Sequence, residues 1–257
     1  MTVLSINLNK IALIRNSREG NNPDILSFAG EAIEAGARGI TVHPRPDLRH
    51  IRPSDVQNIR SLLKRSYSNV ELNIEGNPFA VPNKYGYPGF DQLIALTEPE
   101  QVTLVPDNET QLTSDRGWRL EQSQIALSEK IDKYKSLKAR VSVFLDPEPE
   151  QIRLASEIGA DRIELYTGPF ASTFAKYGSR DKLTMALFER YVQASELAHQ
   201  QKLEINAGHD LNLKNLSLFS KLPHLAEVSI GHAIVIDSLN RGFRTTVKEY
   251  LEALQKP

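Results

Sequence analysis

A short β-forming run followed by a stretch of helical spacing recurs eight times along the chain, and this alternation restricts the fold more than any other feature. The runs predict strands over 2–8, 39–43, 70–75, 101–105, 140–145, 162–166, 203–207 and 226–231. Helical spacing predicts helices over 23–36, 53–65, 89–97, 118–136, 148–159, 181–201, 212–222 and 236–254, the last as one helix or two. Gly36 stops the first helix. Pro53 and Ser54 open the second, whose Val56, Ile59, Leu62 and Leu63 share one face. Strand and helix in strict turn build a parallel sheet. Eight strands close it, so the expected fold is α/β, a (β/α)8 TIM barrel with additional helices. The competing arrangement, an open doubly wound sheet, usually carries a glycine-rich first turn, and "NLNKIALIRN" (7–16) has none. A chain of 257 residues suits a barrel used as one unit, and no linker or low-complexity stretch divides it, so a single domain over 1–257 is expected. The segment 76–90 is a long loop inside one strand–helix unit.

Barrels place their chemistry at the carboxyl ends of the strands. Read there alone, the chain offers Asn7, Asn9 and Lys10 after the first strand, with Arg15 and Arg18 beyond them. The second strand ends in "HPRPDLRH" (43–50), the third in Glu75, and the fourth leads to Asp107 and a polar loop holding Thr113. The sixth contains Glu164, the seventh runs into "NAGHD" (206–210), and the eighth ends in Gly231-His232. Four of the six histidines (His43, His50, His209 and His232) fall on this rim, against a chance scatter that would favour neither end. Glu75 and Glu164 follow strong β-formers, where a buried carboxylate is costly unless paired or used. As an ion pair each would be structural; beside histidines each becomes a general acid/base tuned by burial and neighbouring cations.

Two anion sites are expected on this rim. Gly208 and Gly231-His232 come from the last two strands, where barrels often bind phosphate through backbone N–H groups and a helix N-terminus. Arg45, Arg49 and His50 offer donors over the second strand, although Arg49 and Arg52 also read as solvated loop residues. Two anion sites imply two phosphorylated reactants or one bisphosphate. The segment from Pro106 to Trp118 reads as a lid over the site.

Other chemistries are set aside on composition and pattern. The chain has no cysteine, which excludes disulfides and thiolate chemistry. A net charge of −1 gives no reason to expect nucleic acid or a membrane surface as partner. "MTVLSINLNK" is too short and polar for a signal peptide, and no apolar run approaches the roughly 18 residues of a span, so a cytoplasmic protein is expected. No H-x-H pair or HExxH suggests a metal site. "RIELYTG" (162–168) lacks a Schiff-base lysine; Lys10 is the only lysine near a strand's carboxyl end, which leaves a substrate amine as the alternative source of an imine.

Taken together, "NLNKIALIRNSR", "AGARGITVHPRPDLRHI", "LNIEGNP", "QVTLVPD", "ELYTG", "INAGHDL" and "SIGHAI" resemble the pyridoxine 5′-phosphate synthase family of the deoxyxylulose 5-phosphate-dependent vitamin B6 pathway, over essentially the whole chain. The resemblance implies a (β/α)8 barrel assembled as a homo-octamer of dimers. It implies condensation of 3-amino-2-oxopropyl phosphate with 1-deoxy-D-xylulose 5-phosphate to pyridoxine 5′-phosphate, inorganic phosphate and water, without metal or organic cofactor. By position, it makes His43 and Glu75 general acid/bases, Glu164 the carboxylate that stabilises charged intermediates, and His209 the proton donor. It puts Asn7, Arg18, Asp210, Gly231 and His232 around the aminoketone phosphate, and Asn9, Lys10, Arg45, His50 and Thr113 around the deoxyxylulose phosphate. The chain departs from many members at Asn9-Lys10, where they read Asp-His, at Asp210, where they read Gly, and in a longer loop after Glu75. Two other readings stay open: a phosphosugar isomerase or aldolase on the same barrel, and a catalytically silent paralogue that binds a phosphorylated metabolite.

Overall fold

The computed structural model describes residues 2–108 and 111–255. Its eight strands pair in parallel, each with the next, and the last returns to the first to close the barrel. They are β1 (Val3–Asn7), β2 (Gly39–Val42), β3 (Glu71–Gly76), β4 (Gln101–Leu104), β5 (Arg140–Leu145), β6 (Arg162–Tyr166), β7 (Glu204–Gly208) and β8 (Leu225–Ile230). Each lies within a residue or two of its expected place.

Eleven helices surround the barrel among the described residues. They are α1 (Asn9–Asn16), α2 (Ile25–Ala35), α3 (Pro53–Ser66), α4 (Phe90–Thr97), α5 (Gln124–Ser136), α6 (Pro149–Glu157), α7 (Gly168–Tyr177), α8 (Lys182–Gln200), α9 (Leu213–Phe219), α10 (His232–Arg241) and α11 (Phe243–Gln255). Two of them, α1 and α7, were not foreseen; both are short and sit where strand ends and loops are expected. The closing helix is two, parted at Gly242, whose φ of +80° a side chain would strain. The helix expected from 118 starts only at Gln124, after a single 3-10 turn over Leu120–Gln122.

The strands alternate, and the alternation has a direction. Leu72 and Ile74 of β3 are fully buried in the apolar shell between barrel and helices. Asn73 faces the interior, where its amide donates to Thr41 Oγ1 at 3.4 Å and its carbonyl accepts from Thr103 Oγ1 at 3.0 Å. Ser5 and Thr41 hydroxyls meet at 2.7 Å in the same layer. Below it lies a floor of charge built by strand-opening residues. Arg162 donates through Nη1 to Gln101, Asn206 and Glu227, at 2.9, 3.2 and 2.8 Å, and pairs through Nε with Glu204. Arg140 bonds Gln101 at 3.0 Å and pairs with Glu71. The interior is therefore hydrogen-bonded rather than greasy, and Glu75 and Glu164 stand at its upper end.

Candidate active site

The carboxyl ends of the strands enclose a cavity of about 360 Å³. β1 and α1 supply Asn7, Asn9 and Lys10; the segment after β2 supplies His43, Arg45, Arg49 and His50. β3 and β6 supply Glu75 and Glu164, and the segment after β4 supplies Thr113 and Ser114. His209 and Asp210 follow β7, and Gly231 and His232 follow β8. Of the fourteen residues that the family resemblance assigns to the site, Arg18 alone is not in this wall. It lies exposed past the end of α1, its N–H on the carbonyl of Arg15.

Backbone and side-chain amides set the first wall. Asn7 Oδ1 accepts from Asn9 N–H at 3.0 Å, and its Nδ2 donates to Glu75 at 3.3 Å. Asn9 Oδ1 accepts the N–H of His43 at 2.9 Å, so the residue at this departure from the family pattern orients a histidine. His43 Nδ1 then lies 3.9 Å from Glu75 Oε2. Burial, reinforced by the charges of Arg45 and Arg49, holds the His43 imidazole well below its ordinary range. Burial and the charge of Asp107 push the Glu75 carboxyl up to about 8, against the pull of Arg45. A neutral imidazole therefore faces a protonated carboxylic acid near pH 7, one proton between two bases. Glu164 is likewise pushed well above the usual carboxylate range, by burial and then by Glu75 and Glu227. Gly208 makes room for it: a Cβ there would stand 2.2 Å from Glu164 Oε1.

The cationic side is held in place by acids. Arg45 is buried and paired with Asp107, which also accepts from Ser114 Oγ at 2.8 Å. Of the two readings of Arg49, donor at the site or solvated loop residue, its position favours the first: it lines the cavity, because Asp47 at 2.6 Å and the carbonyls of Gln111 and Leu112, at 2.9 and 3.3 Å, hold its guanidinium inward. His50 is pushed down to about 3 by burial, Arg45 and Arg49. Its Nδ1 accepts the N–H of Ile51 at 2.9 Å, so the neutral ring carries its proton on Nε2 and is a donor without charge.

His209 and Asp210 form a left-handed pair, with φ of +84° and +57°. Such backbone persists only where its surroundings over-determine it. Thr167 Oγ1 donates to the carbonyls of Gly208 and His209, and Asn215 Nδ2 donates to that of Asp210 at 3.0 Å. The His209 ring stands edge-on to Tyr166, at 5.0 Å between centroids. Its Nε2 meets Thr113 Oγ1 at 3.1 Å and its Nδ1 lies 3.1 Å from Asp210 Oδ2. That contact with His209, with Lys10 nearby, holds the Asp210 carboxyl below its usual range against partial burial.

Sequence reasoning placed Asp107 on the rim without a role, and did not single out Ser114 or Phe144. The first two act on Arg45 across a loop, which no local pattern reveals. Phe144 faces the cavity from a strand read only as apolar. Among the described residues no group of three metal-ligating side chains is placed to hold an ion.

A closed barrel whose mouth combines protonated carboxylates, neutral imidazoles and anchored guanidiniums defines a class: barrel enzymes that move protons on small anionic substrates. The fold is shared with phosphoribosyl anthranilate isomerase from Thermotoga maritima, at TM-score 0.58 and 14% identity over 99% of both chains. It is shared too with a structure described as native KDPGal, at TM-score 0.58 and 13% identity over 98% of this chain and 96% of that one. Within the class, the chain belongs to the family described as "Pyridoxal phosphate biosynthesis protein PdxJ", which matches residues 4–256. A relative from Xanthomonas oryzae pv. oryzae (strain PXO99A), named pyridoxine 5′-phosphate synthase, is 49% identical over 255 residues, covering 99% of this chain and 97% of its own. One of the same name from Bacteroides fragilis (strain YCH46) is 43% identical over 256 residues, covering 99% and 100%.

Proposed function

We propose that this chain is a pyridoxine 5′-phosphate synthase that condenses 3-amino-2-oxopropyl phosphate with 1-deoxy-D-xylulose 5-phosphate. The observation that carries the reading is the Glu75–His43 pair, a carboxylic acid beside a neutral imidazole at 3.9 Å. The substrate amine attacks the pentulose ketone, and water leaves to give an imine. Glu75 and His43 exchange the protons that this and the later eliminations require, each relay contributing about 10²–10⁴-fold. The pentulose-derived half loses one hydroxyl as water and expels inorganic phosphate, water adds where the phosphate left, and an aldol-type closure with a further dehydration gives the aromatic ring. Glu164 offsets positive charge on the intermediates once ionised, and His209 supplies a proton through Nε2.

Arg45, the Nε2–H of His50, Asn9, Lys10 and Thr113 hold the pentulose phosphate. Gly231, His232, Asn7 and Asp210 surround the aminoketone phosphate, with Arg18 contributing from outside the wall seen in one chain. The cavity holds two flexible anions in register, and the segment from Pro106 to Trp118 keeps water from the imine. The same reading has residues 1–257 as one domain, working in the cytoplasm as a homo-octamer built from dimers, with no metal, organic cofactor, nucleic acid or membrane as partner.

Incubating the purified chain with both phosphates tests it: a pyridine chromophore and inorganic phosphate should accumulate together in equal amounts. Tight binding of either phosphate without product would leave a metabolite-binding protein instead, and an imine trapped on Lys10 by borohydride would leave an aldolase.

A further inference from the structure

The largest fully buried side chain in the described residues is an arginine, Arg15, on the unforeseen helix α1. Its guanidinium makes a two-pronged pair with Asp55, Nη1 to Oδ1 at 2.7 Å and Nη2 to Oδ2 at 2.9 Å. Nη2 also donates to the carbonyl of His50 at 3.1 Å, and Nε to Asn16 Oδ1 at 3.0 Å. Asp55 in turn accepts the N–H of Arg52 at 2.7 Å, at the opening of α3. Next door, Asn16 Nδ2 lies 2.8 Å from the His50 carbonyl and 3.1 Å from that of Arg49. Buried ion pairs of this kind are poor sources of net stability, because desolvation offsets much of the attraction. What this one fixes is geometry. The segment 43–52 turns at Leu48 with a left-handed φ of +56°, and the carbonyls just beyond that turn are the ones tied down.

We propose that Arg15 is a positioning residue: with Asp55 it fixes the His50 carbonyl, and so sets how Arg45, Arg49 and the Nε2–H of His50 are presented to the pentulose phosphate. The fork of a guanidinium is needed, since one group must hold both carboxylate oxygens and a carbonyl that lies off to one side; an ammonium offers no such planar set. Arg15 touches no substrate. It links the end of α1 to the far side of the strand-two segment, while the start of α1 brings Asn9 and Lys10 to the cavity, so one eight-residue helix registers two walls.

This inference rests on the proposed function above, through the assignment of that segment to the pentulose phosphate. The test is Arg15→Met, Arg15→Lys and Asn16→Ala, with calorimetric binding of 1-deoxy-D-xylulose 5-phosphate measured beside steady-state kinetics and melting. Arg15→Met should weaken pentulose binding and raise its KM about 10-fold or more, leave the KM for the amine within about 2-fold, and leave kcat within about 3-fold. Arg15→Lys should rescue little of this, and Asn16→Ala should shift the same KM about 3-fold. A merely structural role would lower the melting point and leave KM alone, or move both KM values together; either result overturns the proposal. If Arg15→Met does not fold, unchanged pentulose binding in both Arg15→Lys and Asn16→Ala overturns it equally. Loss of pentulose binding in the variants of a wild-type chain that forms no pyridine would sink the proposed function and leave the positioning role standing.

Discussion

The floor and the mouth of the barrel are both lined with charged side chains, yet they neutralise that charge in opposite ways. On the floor every carboxylate has a guanidinium: Arg162 reaches Glu204 and Glu227, and Arg140 reaches Glu71. At the mouth, Glu75 has only the amide of Asn7 and a distant imidazole, and Glu164 has no ion pair or hydrogen bond among the described residues. The floor carboxylates lean on cations: Arg140 draws Glu71 below its usual range against the burial that raises it, and Arg162 and Arg140 hold back the rise that burial forces on Glu227. The mouth carboxylates answer burial by taking up protons. A satisfied network resists change; an unsatisfied acid is available for proton transfer, and it is kept available because the cations nearby are committed to Asp107 and Asp47.

Substitutions at the two ends should therefore break different properties. Glu75→Gln keeps the shape and the Asn7 contact but cannot exchange a proton. Turnover should fall about 10²–10⁴-fold with folding and phosphate binding intact, and a near-normal rate would remove Glu75 from the chemistry. Arg162→Met leaves Glu227 and Glu204 without their cation. It should cost about 3–5 kcal/mol in denaturant melts while the folded fraction turns over normally; a stable but inactive variant would mean that the floor takes part in catalysis.

Arg45→Ala tests the cationic side of the mouth. Losing charge-assisted bonds worth about 1.5–3 kcal/mol should raise the KM for the pentulose phosphate about 10–100-fold, and that for the amine far less. The reverse pattern would exchange the two substrate sites.

The smallest expected effect is on stability against pH. The folded Glu75 carboxyl titrates near 8, above its unfolded value of 4.5, so its contribution is present below pH 4.5 and is lost as pH rises toward 8. Glu75→Gln should thus stabilise the fold more at pH 8.5 than at pH 5, the difference growing as pH rises through that window. Equal shifts at both pH values would show that Glu75 is ionised in the native state.

The barrel was legible because eight strand–helix repeats leave few closed solutions, and the rim could be read once the carboxyl ends were known. Asn7, His43, Glu75, Glu164 and His209 meet in one cavity although up to 202 positions separate them in the chain. The polar interior was also written in the strands: "ELNIEG" (71–76) alternates, and its polar face is the one that looks inward. Strands covered by helices on the outside and by other strands inside usually read as continuous apolar runs, so the alternation was itself a signal of a functional lumen. What could not be read was contact at a distance. Asp107 on Arg45, Asp55 on Arg15 and the carbonyl of Gln111 on Arg49 join elements whose spacing is set by helix packing alone. Helix α1 was missed for a related reason: eight residues give little periodicity, and its polar start looked like a strand end.

Gly208 carries a consequence for anyone redesigning this pocket. With no more than 2.2 Å between the Glu164 oxygen and the place where a methyl group would sit, positions 164 and 208 behave as a single locus. Changing one while freezing the other meets a clash or leaves a gap, whereas a paired change, a shorter acid with an alanine opposite, conserves the volume and moves the carboxylate back toward its own strand.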